Sequence, residues 1–386
     1  MMKNITSIFL VVISLSSCVD RYWPNIDSYE NLLVVDGTLT DGDDPVIVKL
    51  SFSNSINSDE LLPVMDAEVY ITEDNATTIL LSETRAGVYQ IMDSTYCGKV
   101  GSSYRLYIQL VSGKKYESNS CLMMPPSPID SVYAILETKQ YVENKKDKYG
   151  YQFYLDNHSD SDSTRYYLWR LSQTYEYKTT FNIHFTWEGE LIPYPDPDSL
   201  RRCWRTQQIT NFFTYSTLYL KPPIINGFPL NFTSTKNKML SIRYSLLVNQ
   251  LSITKEAFGF WDALQQQNID QGNLYSQQPN QIVGNVHNIL NFEEFVLGYF
   301  TVASVTKKRI FVNRPSIVPF YYEECEPDLE IMGVIRFEPP ESWPIYLTLI
   351  PDKDLAGATM EFCFDCRIGG GSITPPDFWE KRLTEK

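Results

Sequence analysis

The side chains best placed to do covalent chemistry are the seven cysteines, and their spacing sets one apart from the rest. Cys18 closes Leu15-Ser16-Ser17-Cys18, after a start carrying Lys3 and an apolar run from Ile8 to Leu15. A charged start, a short apolar core and small residues ahead of a cut make a secretory leader, and so short a run does not span a bilayer. Residues 1–17 are therefore expected to be cut away. A cysteine at the first position after the cut resembles a bacterial lipobox, in which the sulfur is diacylated and the new amino end acylated. At roughly 0.8 kcal/mol per buried methylene, such chains hold a protein on a membrane without a transmembrane helix.

The remaining cysteines are Cys97, Cys121, Cys203, Cys325, Cys363 and Cys366. Outside the cytoplasm they are expected to form structural disulfides, and the fifteen connectivities open to six thiols are not separated by spacing. Cys97 and Cys121 flank an expected hairpin and are expected to pair, leaving the other four to staple the second half. Cys363-Phe364-Asp365-Cys366 has the spacing of redox and zinc sites. Zinc would need four ligands, yet the histidines His158, His184 and His287 are scattered, and a thioredoxin-type site would need a βαβ context. The expectation is therefore no metal and no cofactor.

Catalytic signatures of the GxSxG, HExxH, Walker A and GxGxxG types do not occur. Asp41, Asp43 and Asp44 resemble part of a calcium loop without completing it, and read as a solvated turn. No catalytic residue is assigned, and the chain reads as non-enzymatic. For binding, Trp187, Tyr194 and Trp204 lie in or beside an irregular, proline-containing stretch, where loops carry contacts more often than cores do. These three are the expected ligand contacts.

The elements that must position them are strands. With 26 Tyr, 20 Phe and 7 Trp the aromatic load favours sheet, and a net charge of −14 repels phosphates, which argues against nucleic acid as a partner. Residues 18–27 lack periodicity and read as a tether. Apolar residues then alternate at Leu33-Val35, Val46-Val48-Leu50, Val69-Ile71, Ile79-Leu81 and Tyr104-Leu106-Ile108-Leu110, with turn residues between the runs. Residues 28–124 are expected to form an immunoglobulin- or transthyretin-like β-sandwich. Pro125-Pro126-Ser127-Pro128 marks a linker. Residues 130–386 read as a larger β-rich domain carrying one inserted helix near 255–268, capped by Thr254, stopped at Gly272 and striped by Phe258, Trp261 and Leu264. The fold class is all-β, two sandwich-like domains in tandem.

The order of these features resembles a Bacteroidota lipoprotein family known as domain of unknown function 4249. The resemblance lies in the lipobox, Leu33-Val34-Val35-Asp36-Gly37, the helix with Phe260-Trp261-Asp262-Ala263-Leu264, Gly284-Asn285-Val286-His287-Asn288, Leu297-Gly298-Tyr299-Phe300, and the ending Cys363 to Gly371 followed by Pro375-Pro376-Asp377-Phe378-Trp379. Members are typically encoded beside TonB-dependent receptors. The resemblance implies a non-enzymatic, lipid-anchored outer-membrane protein that partners such a β-barrel receptor and captures a peptide or glycan. A structural subunit in envelope assembly, secretion or adhesion is the alternative. Asp20 is the only acid close behind Cys18, which leaves open the face of the outer membrane it occupies.

Overall fold

The computed structural model describes residues 31–54, 62–140, 147–159, 164–270, 282–316, 318–320, 325–326, 331–350 and 355–380. Residues 1–17, Cys18, the tether at 18–27 and Gly272 lie outside them.

The alternating runs of the first region become β1 (Leu33–Thr40), β2 (Ile47–Phe52), β3 (Leu62–Pro63), β4 (Glu68–Glu73), β5 (Thr77–Arg85), β6 (Val88–Gln90), β7 (Ser103–Gln109), β8 (Lys115–Ser118) and β9 (Cys121–Leu122). Period two sends Val35, Leu39, Val48, Leu50, Val69, Ile71, Leu106 and Ile108 inward to one aliphatic core, and turns Asp36, Thr38 and Lys49 to the other face of β1 and β2. The rest of the chain builds β10 (Ile129–Gln140), β11 (Asp147–His158), β12 (Tyr166–Lys178), β13 (Phe185–Trp187), β14 (Leu191–Pro193), β15 (Arg202–Ser216), β16 (Ile224–Ser234) and β17 (Arg243–Ser252). After them come α1 (Lys255–Asp270), β18 (Val286–Asn288), β19 (Val296–Asn313), α2 (Ile331–Val334), β20 (Ile345–Ile350), β21 (Leu355–Gly357) and α3 (Asp377–Glu380). The chain is thus all-β with sandwich-like packing.

One hydrogen-bonded path of strands, β15-β12-β17-β19-β1-β2-β6-β5-β4-β7-β8-β18, runs through both halves. Its joint is β19. Residues 296–303 of that strand pair in parallel with β1, from Leu33↔Val296 to Thr40↔Ala303, while residues 304–313 pair antiparallel with β17. β18 closes the far end of the path by pairing with β8. Val286, Val296, Phe300 and Val302 consequently complete the core of the first region. The cores therefore do not divide at 124/130 as expected, because β1 and β8 find their missing partners late in the chain, and an unpaired sheet edge is a liability.

Within this path, β12 and β17 are largely buried on both faces. On one side Tyr167, Trp169, Leu171, Tyr175 and Tyr177 of β12 pack with Tyr244, Leu246 and Val248 against the sheet β10-β11-β16. On the other, Leu168, Leu251, Tyr299 and Ala303 lie under α1, which contributes Ala257 and Phe260 with Phe258, Trp261 and Leu264 beside them. The expected cap is formed, since the Ala257 N–H donates to Thr254 Oγ1 at 3.3 Å. A small sheet, β14-β13-β20-β21, lies beyond.

Several local expectations change. In the second half, apolar residues alternate from Phe181 to Trp187, a pattern that predicts a strand, yet only β13 forms there; the apolar pair Leu218 and Leu220, which also reads as strand, sits in a turn. Two long strands without a clear apolar period, β15 and β16, appear instead; each is the edge of its sheet, which explains the polar run Thr206-Gln207-Gln208 and tolerates Pro229. The cysteine pairing is also corrected. Cys203–Cys366 and Cys325–Cys363 form disulfides, whereas Cys97 and Cys121 are free thiols. Cys97 is exposed, but Cys121 Sγ is turned inward, donating to Asn119 O at 3.3 Å and accepting from Asn285 Nδ2 at 3.2 Å. The two halves of the CxxC thus bind different partners and not each other.

Candidate ligand cleft

Because β12 alternates, its even-numbered residues face away from the aromatic core. Leu168 goes under α1, and two residues further on Arg170 emerges past the cover of the helix. Register places Arg170 opposite Phe212 on β15 and Asn249 on β17, and Asn249 opposite Lys307 on β19. These four side chains form a row across four strands. A register shift between Arg170 and Leu171 bends β15 beside the row, a common device where a strand must re-aim a side chain. The outward face of β1 and β2 supplies the opposite wall.

The result is a cleft of about 730 Å³, within the range of small-molecule sites. Its apolar lining includes Ile47, Ile209, Phe212, Leu251 and Trp261. Trp261 meets Phe212 edge-on at 5.2 Å and donates Nε1–H to Thr301 Oγ1 at 3.2 Å, so its ring is held from two sides. The Arg170 guanidinium lies over that ring, 5.0 Å from its centroid, and donates Nη1–H to Thr38 Oγ1 at 3.0 Å.

Arg170 has no carboxylate within salt-bridge distance among the described residues, and Thr38 is its one hydrogen-bond partner there. Burial pushes its pKa below the usual guanidinium value, with the charge of Asp36 pulling the other way. Arginine nonetheless stays protonated in proteins, and the four remaining N–H donors of this half-buried cation are open to a ligand or to solvent. Beside it, Asn249 Oδ1 is buried without a hydrogen-bond partner among the described residues. The other cations differ. Lys307 binds Asp43 at 2.7 Å and Asp44 at 2.9 Å; desolvation opposes its charge, but these hydrogen bonds outweigh it and raise the pKa. Asp43 is held below its usual range by the same contact, and Asp41 accepts from the Val305 N–H, so the expected solvated turn ties the β1–β2 loop to β19. Lys49 pairs with Asp36 at 3.9 Å on the exposed rim. Among the described residues the cleft offers a cation without a counter-ion, an amide oxygen without a partner, an apolar wall and the polar side chains of Thr40, Gln208 and Thr210.

The residues expected as ligand contacts do not gather here. Trp187, on β13, packs against Ile335, Leu347 and Ala358; Tyr194 packs with Ile183, Leu200 and Phe364 and meets Tyr346 edge-on at 6.3 Å. Trp204, on β15, carries Arg202 over its ring at 5.5 Å and bridges to Ser372. The proline-containing stretch folds back as the β13–β14 hairpin, which uses its aromatics for packing. Of the histidines, His158 pairs with Asp130, His184 accepts from the Leu349 N–H at 3.2 Å, and His287 stacks on Phe292 at 5.8 Å. Among the described residues no cluster of three His, Cys, Asp or Glu is placed to hold a metal.

A signal for Arg170 was present. A charged residue inside Tyr166-Tyr167-Leu168-Trp169-Arg170-Leu171 is anomalous, because arginine is seldom buried unless paired.

The model of a family described as Domain of unknown function (DUF4249) matches residues 19–309. The chain belongs to this family. The DUF4249 match contains every cleft residue named above and ends within β19, so Cys363 to Trp379 lies beyond it. Two motifs within the match have structural work at the joint. A Cβ on Gly284 would collide with the Gly298 carbonyl, and one on Gly298, at φ 87°, with the Val35 carbonyl. Asn285 imitates a strand neighbour, donating Nδ2–H to Phe300 O and accepting from Phe300 N–H, both at 2.9 Å. No curated protein matches the chain.

Proposed function

We propose that this protein is a non-enzymatic outer-membrane lipoprotein, anchored through Cys18, that captures a small peptide or glycan in the β12–β17–α1 cleft beside a TonB-dependent β-barrel receptor. The observation carrying ligand capture is the unneutralised Arg170 in a cleft with a free Asn249 oxygen. A half-buried charge without a carboxylate partner is partly desolvated, and a ligand that supplies the partner would offset that cost. For the anchor, the lipobox is joined by the position of the chain's entry. Leu33, at the start of β1, pairs with Val296, directly after Phe295, and the turn leading there exposes Leu290, Phe292 and Phe295. An apolar turn at the tether's base suits contact with a bilayer or barrel wall. Among the described residues no helix is long and apolar enough to cross a membrane.

Mild detergent extraction of the outer membrane should co-purify a large β-barrel with this chain, and Cys18→Ala should abolish both acyl labelling and membrane retention. Recovery of the acylated protein alone, under conditions that keep other receptor complexes whole, overturns the receptor partnership. The same exposed turn also suits a scaffolding role. A deletion strain that loses envelope integrity while taking up nutrients normally would establish that role instead.

A further inference from the structure

We infer that the cleft recognises the free C-terminal carboxylate of a peptide whose last side chain is apolar, with Arg170 clamping the carboxylate and Asn249 accepting the adjoining backbone N–H. The inference rests on the ligand-capture reading and narrows it to one chemistry. A guanidinium with unused donors in a planar fork matches a carboxylate bidentately, and Trp261 fixes the plane of that fork from one face. An α-carboxylate has one polar neighbour a single carbon away, the N–H of its own residue. That is the geometry the row provides, since Asn249 sits directly across the ladder from Arg170 and its Oδ1 has no partner. Binding there would satisfy both groups at once, which a bare anion would not.

The wall beside the row, Ile209, Phe212, Leu251 and Trp261, matches an aliphatic or aromatic terminal side chain; Thr38, Thr40, Gln208 and Thr210 also line the cleft, so an acidic sugar is the competing ligand that the titration must separate. Ligand charge fits the surroundings as well. Lys307 and Lys49 are already matched by Asp43, Asp44 and Asp36, so the cleft has room for one negative charge and repels several.

The test is calorimetric titration of the detergent-solubilised full-length protein with acetyl-trialanyl-leucine, its C-terminal amide, and a trimer of galacturonic acid. The free acid should bind, with the amide roughly ten- to a hundred-fold weaker, as expected for loss of a charge-assisted bond. Arg170→Met should remove the difference between acid and amide. Arg170→Lys, which keeps the charge but loses the fork, should retain a small part of it. Equal binding of acid and amide overturns carboxylate recognition and leaves ligand capture standing. Binding of the uronate trimer alone, abolished by Arg170→Met, overturns the peptide assignment with the same consequence. Binding of none of the three overturns the inference and counts against ligand capture in the cleft, while the receptor partnership is judged separately by the co-purification. A thermal melt of Arg170→Met separates binding from a structural role. A melting temperature equal to or above that of the parent supports a site residue, because an uncompensated charge has been removed; a fall of more than roughly 5 °C marks Arg170 as structural and overturns the assignment.

Discussion

The two cores of this molecule solve burial in different ways. The first is built mainly from aliphatic side chains, Leu33, Val35, Val48, Leu50, Val69, Ile71, Leu106 and Ile108, with the hydroxyls of Tyr89, Tyr104 and Tyr116 bonded to the Val64 carbonyl, the Lys99 N–H and Glu294, and its cysteines left as thiols. The second is aromatic and carries polar groups through its centre. Gln250, fully buried, accepts from Trp169 Nε1–H at 2.9 Å and Asn157 Nδ2–H at 3.1 Å, and donates to Ser127 O at 2.9 Å. Tyr244 donates to Gln173 at 2.9 Å, and Tyr177 donates to Cys366 O at 2.6 Å beside the disulfide. Aliphatic packing is forgiving of exchange; a buried polar network is specific and costly to break. The contrast extends to the opposite face of the same sheet: Gln250 has its oxygen doubly matched and one N–H bonded inside the core, whereas half-buried Arg170 has no counter-ion and Asn249 Oδ1 no partner among the described residues.

The largest expected effect tests the cystine side of that contrast. Cys203–Cys366 links residues 163 apart and Cys325–Cys363 residues 38 apart, so chain entropy assigns them roughly 5 and 4 kcal/mol. Reduction should therefore unfold the second core in a thermal melt. Retention of the same melting temperature in reductant would erase the distinction. Next comes the joint. Gly298→Ala forces a side chain onto the Val35 carbonyl at a positive φ, and should cost more than about 3 kcal/mol and weaken both cores together in calorimetry. Two separate transitions, only one of them shifted, would show that the shared strand does not couple the regions.

Gln250→Leu should cost about 3 kcal/mol by stranding the Trp169 and Asn157 donors, as much as Leu106→Ala costs by opening a cavity in the first core. If the leucine is neutral in chemical denaturation, the second core does not depend on its polar hub. A smaller effect concerns pH. Burial pushes the Cys121 thiol from 9.0 up to about 11. The folded state therefore holds that proton more tightly, and the associated stability, on the order of 2 kcal/mol, is fully present below pH 9 and is lost as pH rises through 11. Denaturation of Cys121→Ala between those pH values should show a flatter decline than the parent. The smallest expected difference is kinetic: at pH 8 a disulfide reagent should modify exposed Cys97 rapidly and Cys121 slowly in the native protein. Equal rates would remove the asymmetry between the two thiols.

Much of the local structure was legible beforehand. The strands at Leu33, Val48, Val69 and Leu106 and the helix behind Thr254 all follow from residue period and capping, which act over a few neighbours. β15 and β16 were not, because an edge strand with one wet face needs no apolar alternation. The expected Cys97–Cys121 pair assumed that flanking a hairpin brings thiols together, whereas one side chain points to solvent and the other to Asn285. The site was least legible of all. Trp187, Tyr194 and Trp204 were expected from loop character and serve packing, while Trp261 read as core stripe and proves to be both core and cleft wall.

By itself, the sequence determined the fold class, the faces of most strands, the helix and its cap, and the motifs that mark the family, since each depends on side-chain type at a fixed short spacing. Tertiary structure alone decided that β19 would serve both regions, which cysteines would meet, and that Arg170 would lie half-buried without a counter-ion among the described residues. Those outcomes depend on what packs against a residue from far along the chain, and desolvation and pairing are properties of that surrounding volume and not of the local run.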